Sequence, residues 1–560
     1  MIENDFELPC PQEEGKPCST PEQILKEVLR LTKVPKGDRN ALAIIQGLTI
    51  KRMKDLKYGK ALTTAAEKLF RNADDADSAD GHSKHSSPVS RLLSLAAPVE
   101  LFHTPDSTAY ALVDQLKTYS LGGEEFEGWL RHEFYTRYQG APPADAMANA
   151  IETLKSKAQF EGPEIPVYVR LAEWNGAIYL DLGDAEWRVV RIDHDGWTIV
   201  KPSPVRFRRP VGMLPLPVPE QGGSIDSLKP LLNLSEDDWI LFVAWLLGAF
   251  RPRGPYPVLE IHGQQGSAKS TTSLMIRKLV DPSVAPLRSL PNDQRDLVIG
   301  AKNGWVLAFD NASHISPDLS DALCRVSDKG GLSTRTLYKN DSETLFNDQR
   351  PVLLNGIEDL ADRGDLLDRM VRLELEPIPP ERRLSDTELE STFERERPKV
   401  LGALLNAVSA ALRHFETTRL QSLPRMADFA RWVTAAESSL GWAPGTFLGA
   451  YERNRDLAHR TAIEGSPFGE MILELAERGW EGSATELLVE LRQRSGDDFS
   501  ARYLPRTANS LSGKLRRLAP NFLGLGTKIE FIRQGHQGSR HVRLSKNIVS
   551  IVSTSASEAA

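Results

Sequence analysis

Cysteine is nearly absent: Cys10, Cys18 and Cys324 are the 3 thiols of a 560-residue chain, and no CxxC spacing occurs among them. That excludes a disulfide framework and a zinc ribbon, and it fits free thiols in a reducing cytoplasm. Long apolar runs are scarce too. The longest, WILFVAWLLGAF from Trp239 to Phe250, is shorter than the ~20 residues a bilayer-crossing helix needs, so it reads as a buried helix and no membrane partner is expected. The opening, MIENDFELPCPQEEG, is acidic and has no apolar stretch of the secretory kind. Positive charge is also short. With 69 Lys and Arg against 76 Asp and Glu, the formal net charge is −7, which excludes a uniformly basic nucleic-acid coat and leaves local patches as the means of holding DNA. What is plentiful is length: one core rarely extends past about 250–300 residues, so several domains are expected.

Composition shifts divide the chain. Residues 1–90 are expected to hold an unstructured tail, a helical region with ILKEVLRL and ALTTAAEKLF, and the polar linker DDADSADGHSKHSSPVS, whose His82 and His85 read as solvated rather than as metal ligands. Residues 91–223 read as an α+β accessory domain, helical as far as Ala158 with Trp129, Phe134 and Tyr135 as core anchors. From Val167 to Val200 the period changes to alternation, punctuated by Asn175-Gly176, Gly183-Asp184 and Asp195-Gly196, which predicts a four-stranded meander. Asp193 and Asp195 there spell the DxD of a metal-dependent polymerase or primase site, but turn chemistry already accounts for them. A Pro/Arg-rich connector, Arg206 to Gly223, leads to a core over 224–378, a helical lid region over 379–465, a C-terminal domain over 466–546 and an unstructured tail over 547–560.

The core is organised around Val258 to Thr272, VLEIHGQQGSAKSTT: an apolar strand, a glycine loop, Lys269-Ser270, then helical periodicity. This is the order of a phosphate-binding loop. Gly263 and Gly266 let successive N–H groups face one point, and Ser267, Ala268, Lys269, Ser270 and Thr271 complete the cradle at a helix start. Lys269 is expected to reach the β/γ-phosphates of ATP, with the Ser270 hydroxyl on Mg²⁺. Ala268 stands where such loops usually carry glycine, a methyl tolerable only at negative φ.

Partners to this loop follow downstream. GWVLAFDN ends a buried strand in Asp310, placed to hold the Mg²⁺ shell, and Asn311 after it can orient a water but cannot take its proton. A second strand, Val352 to Leu354, ends in Asn355, either a γ-phosphate or water contact or a plain turn residue before Gly356. Between them GLSTRTLYKNDSETLF alternates about Lys339-Asn340-Asp341, a hairpin with a lysine at its tip. Arg363 and Arg369 lie in DLADRGDLLDRMVRLEL, where an arginine either reaches a neighbouring subunit's phosphate or makes an ordinary ion pair.

Taken together, the loop, the Asp at a strand tip, the Gly-Gly hairpin with Arg335, the strand ending in Asn and the Arg after it resemble the superfamily 3 helicases of viruses, phages and mobile elements, within the AAA+ class. The resemblance covers about Leu231 to Pro377, and RMADFARWVTAAESSLGW is similar to helicase-like proteins of bacterial integrated elements. It implies an α/β AAA+-like P-loop core assembled as a ring, a hexamer, with Lys269, Ser270 and Asp310 on ATP·Mg²⁺, Asn355 as sensor, Arg369 as finger, and Arg335 and Lys339 on single-stranded DNA in the pore. Such helicases are often fused to a primase, yet no primase site is matched in residues 1–225.

The C-terminal domain adds its own signal. Helical patterns from Glu481 to Arg492 and in LPRTANSLSGKLRRL, followed by strands around KIEFIR and RHVRLS, predict a winged helix-turn-helix. Between Arg492 and Lys546 stand 12 basic residues against Asp497, Asp498 and Glu530, and Arg506, Lys514, Arg516 and Arg517 are the expected duplex contacts. The expected activity is an ATP-driven DNA-unwinding motor; a non-unwinding ATPase switch, favoured by Asn311, and a primase-helicase are the alternatives.

Overall fold

The computed structural model describes residues 87–312, 315–335, 343–356, 364–464, 467–495, 504–534 and 539–546. The N-terminal helical region with His82 and His85, the hairpin tip with Lys339, Arg363 and the C-terminal tail lie outside the described residues.

Two compact units are formed. In the first, which takes in residues up to Pro98 and Leu121–Lys157, helix α1 (Pro88–Leu95) starts from Ser87, whose Oγ accepts the Ser90 N–H, with proline in its first turn. Helix α2 (Glu124–Tyr138) buries Phe126, Leu130 and Phe134, a stripe of four-residue steps. Tyr135, expected in the core, falls one residue off that stripe and is exposed, and Trp129 is half-buried. Helix α3 (Ala144–Phe160) follows.

The second unit begins with an antiparallel sheet of β1 (Glu100–His103), β2 (Ala109–Val113) and β3 (Lys117–Ser120). A short parallel pair joins β4 (Val167–Tyr168) to β9 (Arg206–Phe207). Between them β5 (Leu171–Trp174), β6 (Ala177–Asp181), β7 (Val189–Asp193) and β8 (Gly196–Val200) form an antiparallel meander. The β7–β8 turn is His194-Asp195, one residue earlier than the dipeptide pattern places it, and Asp193 Oδ1 accepts the Asp195 N–H at 2.9 Å, so that carboxylate closes a turn.

The central sheet is wholly parallel, its strands lying side by side in the order β11 (Arg288–Ser289), β12 (Leu307–Ala312), β15 (Val352–Gly356), β10 (Val258–Gly263) and β16 (Met370–Leu375). It follows α4 (Glu236–Ala249), the apolar run, which is capped by Ser235 and buried on nearly every side. Strand β10 (Val258–Gly263) is buried on both faces, as a strand covered by helices on both sides must be. After β10 the chain runs through α5 (Lys269–Val280), β11, α6 (Gln294–Asn303), β12 and α7 (Pro317–Cys324). A hairpin of β13 (Leu332–Arg335) and β14 (Glu343–Phe346) is inserted before β15 (Val352–Gly356), α8 (Gly364–Leu367) and β16 (Met370–Leu375). Helix α9 (Asp386–His414) starts from a capping box of Ser385 and Glu388; with α10 (Ala427–Ala436) and α11 (Thr446–Glu464) it completes the main core over α4.

The chain closes with α12 (Pro467–Arg478), β17 (Trp480–Ser483), α13 (Ala484–Ser495), α14 (Ala508–Gly524), β18 (Thr527–Gln534) and β19 (Ser539–Lys546), the three strands antiparallel in the order β17-β19-β18. No described helix is long and apolar enough to cross a membrane.

A buried charge cluster ties the meander to the core. Arg170, at the start of the meander, donates from Nε to Asp281 Oδ1 at 3.1 Å, while Arg277 Nη1 reaches Asp281 Oδ2 at 2.9 Å. Burial pushes the Asp281 carboxyl up, but the two guanidiniums and the Val306 N–H outweigh it and hold its pKa down at about 2.

Candidate functional site

Strand β10 delivers the chain to a loop whose shape depends on residues without bulk. At Gly263 a Cβ would lie 2.4 Å from the Leu375 carbonyl oxygen and 2.7 Å from Ser267 Oγ, so only glycine fits. Gly266 has φ of +82°, and the Ile378 N–H donates to its carbonyl at 3.3 Å. Ser267 is buried and donates to the Gln264 carbonyl at 2.9 Å, bracing the loop from below. Ala268, expected at negative φ, sits instead at +65° as the N-cap of α5. The loop demands a left-handed residue immediately before the lysine, and alanine adopts that conformation against its own Cβ, a cost of about 1–2 kcal/mol.

Lys269 Nζ donates to the carbonyls of Gly263 and Gln264, at 2.7 and 2.8 Å, curling over the loop it follows. Burial lowers its pKa, with Asp310 pulling the other way. Ser270 Oγ donates to Asp310 Oδ1 at 3.2 Å, which joins the first turn of α5 to the tip of β12. Thr271 is half-buried beside them.

Asn311 also has a left-handed backbone, φ +53°, a conformation asparagine tolerates better than most residues. Its N–H donates at 3.0 Å both to Asp310 Oδ1 and to Asn355 Oδ1, and the register of β12 against β15 shifts here, between Phe309 and Ala312. Asn355 is 1% exposed, and its amide nitrogen donates to Ser273 Oγ at 3.0 Å; Ser273 in turn donates to the Lys269 carbonyl at 2.9 Å. Each end of the Asn355 amide therefore makes a bond, which makes it a brace between β12, β15 and α5. The chain of contacts is closed: Lys269 carbonyl, Ser273, Asn355, Asn311, Asp310, Ser270.

Arg369 takes the ordinary alternative. It is 7% exposed, and its Nε donates to Asp328 Oδ2 of the same chain at 3.1 Å, while its carbonyl accepts the Val258 N–H at 2.9 Å. At the entry to β16 the guanidinium is thus paired within its own chain. Arg335 is at the end of β13, and nothing is described of its side chain. Arg383, passed over in the sequence, stands by the loop: its Nη2 is 3.9 Å from where a Cβ on Gly266 would be, with Nε donating to the Ile378 carbonyl at 3.1 Å. The Arg382-Arg383 pair, seven and eight residues past β16, was the signal available for it.

In the C-terminal domain the nominated cations behave unequally. Arg506, Arg516 and Arg517 are exposed, Arg516 stacking over Phe531 at 4.6 Å. Lys514 lies over the Phe468 ring at 4.3 Å, and burial with the nearby Arg517 depresses its ammonium pKa. The local excess of positive charge is smaller in space than along the sequence, because acids from before the stretch come back to it: Arg494 pairs with Glu490 at 2.8 Å, Arg543 with Glu481 at 2.8 Å and Lys546 with Glu477 at 3.6 Å. Asn509 and Gly513 share the exposed face of α14 with the arginines.

The donor set at the loop fits a nucleoside triphosphate with its divalent cation. A glycine cradle faces a lysine whose ammonium donates to two loop carbonyls, and a hydroxyl and a carboxylate stand together as hard oxygen ligands.

Residues 225–454 match the family described as the actinomycete integrative conjugative element replication protein, and residues 468–556 match the RepA C-terminal domain of the same elements. No curated protein matches the sequence. Among solved structures, the SCCmec type IV Cch active helicase is similar at 12% identity and a TM-score of 0.43, over 80% of this chain and 93% of that one. The C-terminal region of NrS-1 is similar at 11% identity and a TM-score of 0.35, over 80% of this chain and 96% of that one. These likenesses are loose, and no activity follows from them. Over these two stretches the sequence is similar to the replication proteins of integrative conjugative elements.

Proposed function

We propose that the chain is an ATP-driven DNA-unwinding motor in the replication of an integrated element. The observation that carries this reading is the Ser270–Asp310 contact beneath Lys269, a ready-made seat for Mg²⁺ beside a phosphate loop. ATP·Mg²⁺, when bound, supplies a phosphoanhydride bond for hydrolysis. Lys269 would exchange its two carbonyl contacts for phosphate oxygens, Ser270 and Asp310 would hold the cation, and Asn355 would keep the tip of β12 in place. The sheet order and the inserted β13–β14 hairpin support an AAA+-like core working in a ring, a hexamer, with the hairpin toward single-stranded DNA. The helix and strand order from α12 to β19 supports a winged helix presenting α14 to duplex.

ATP hydrolysis and displacement of a forked strand by the full chain test the reading together. Lys269→Ala should lower turnover by about 10²–10³-fold, the scale for removing one preorganised charge donor. A parent protein that neither binds nor hydrolyses ATP would end it. The alternative switch, which couples slow hydrolysis to assembly on DNA, is favoured by Asn311, since no carboxylate follows Asp310 to activate water. Hydrolysis without strand displacement would select it.

A further inference from the structure

A groove of about 780 Å³ runs between the small sheets ahead of the meander and the edge of the central core. Asp106, Tyr110, Tyr168 and Arg208 line one side, and Arg253, Lys302 and Asp348 the other. We propose that this groove binds single-stranded nucleic acid. The proposal rests on the DNA role argued above but concerns a surface that neither the loop nor the C-terminal domain contains.

Charge is the first argument. Arg208 donates to Asn303 Oδ1 at 3.5 Å and to the Lys302 carbonyl, both neutral acceptors, so these contacts leave its charge uncompensated. The Arg253 side chain is 79% exposed and meets Glu173 only at 3.5 Å. Of the two carboxylates in the groove, Asp348 accepts from the Arg350 guanidinium at 3.2 Å, while Asp106 accepts from the neutral Thr104 Oγ1 at 2.5 Å and keeps its charge. Four cations that line the groove, Arg208, Arg253, Lys302 and Arg350, against Asp106 and Asp348 leave it positive in a protein whose net charge is −7.

Aromatic placement is the second. Tyr168 is half-buried, with its ring 6.4 Å from Phe207, its carbonyl accepts the Arg208 N–H at 3.0 Å, and both residues line the groove. Rings beside cations are what a single strand needs, since each base offers a face and each phosphate a charge. Location is the third. Asn347 and Asp348 follow β14 directly, so the groove starts at the stem of the inserted hairpin, and a strand gripped there has this channel as its continuation.

The test uses the full chain and fluorescein-labelled oligo-dT, with anisotropy read over a salt series. Arg253→Glu/Lys302→Glu should weaken binding at least tenfold and reduce the salt slope by roughly 1.4, two single-strand phosphate contacts' worth. Tyr168→Ala should weaken it about fivefold or more while leaving the slope unchanged. Duplex affinity and DNA-free ATP hydrolysis should stay at the parent values. A parent that binds oligo-dT while these variants match its affinity and slope would overturn the groove and leave the motor reading intact. A parent that ignores oligo-dT altogether would overturn both.

Discussion

The Lys269 loop and helix α14 both stand out by residue type, and they fare differently. Around the loop, residues separated by up to 82 positions close into one ring of contacts, from Ser273 to Asn355. On α14, side chains within four positions part company: Arg517 is exposed, Arg516 leans on Phe531, and Lys514 is drawn over Phe468. The loop's chemistry is fixed by backbone shape, which glycine positions and strand ends encode locally. A phosphate-gripping face depends on which acids lie nearby in space, and Glu474, Glu477, Glu481 and Glu490 all precede the stretch whose own charges are so one-sided.

That contrast can be broken at its strongest point. Asn355→Ala removes the acceptor of the Asn311 N–H and the donor to Ser273, leaving buried groups unsatisfied. ATP turnover should fall by about 10²-fold, as misplacing a catalytic group by an ångström does, with thermal stability down by about 1–3 kcal/mol. Unchanged steady-state hydrolysis would show that the ring of contacts is ornamental to the chemistry.

A middle-sized effect sharpens the other side. Arg517→Ala should weaken duplex binding and cut its salt slope by about 0.9, one B-DNA phosphate contact. Lys514→Ala should leave that slope alone and lower the melting temperature instead, since it loses a cation–π contact of about 0.5–1 kcal/mol. Equal slopes for the two variants would mean that the inward turn of Lys514 does not survive contact with DNA.

The smallest effect concerns the loop's one misfit. Ala268→Gly relieves a left-handed alanine and should raise stability by about 1 kcal/mol, read from chemical denaturation. A loss of stability would mean that the loop holds its pre-lysine residue at negative φ.

Much of the core was legible because its signals are local. The apolar strand, Gly263, Lys269-Ser270 and the Asp310 strand tip are each a short pattern with a short-range cause. The alternation from Val167 to Val200 likewise announces strands, although the turn at His194-Asp195 sits one residue away from its glycine. What escaped was set by packing. Arg369 looks the same in sequence whether it projects or pairs, and only Asp328, 41 residues earlier, decides. Asn355 gave no hint that each end of its amide makes a bond, and Asn311 reads as a missing carboxylate before it reads as a left-handed bulge.

The buried cluster of Arg170, Asp281 and Arg277 bears on where this protein can be cut. The replication-protein match begins at residue 225, yet Asp281, at the end of the helix that Lys269 starts, leans on an arginine 111 residues upstream. Deleting that partner from a buried pair costs about 3–5 kcal/mol, a large part of what holds a domain folded. The connector is held no less tightly: a Cβ at Gly402 would lie 1.8 Å from the Glu220 carbonyl oxygen, and one at Gly223 would lie 2.4 Å from that of Lys399. Backbone lies directly on backbone there. The smallest autonomous piece carrying the Lys269 loop therefore starts ahead of the meander, and the border drawn by sequence kinship runs through the middle of a single cooperative body.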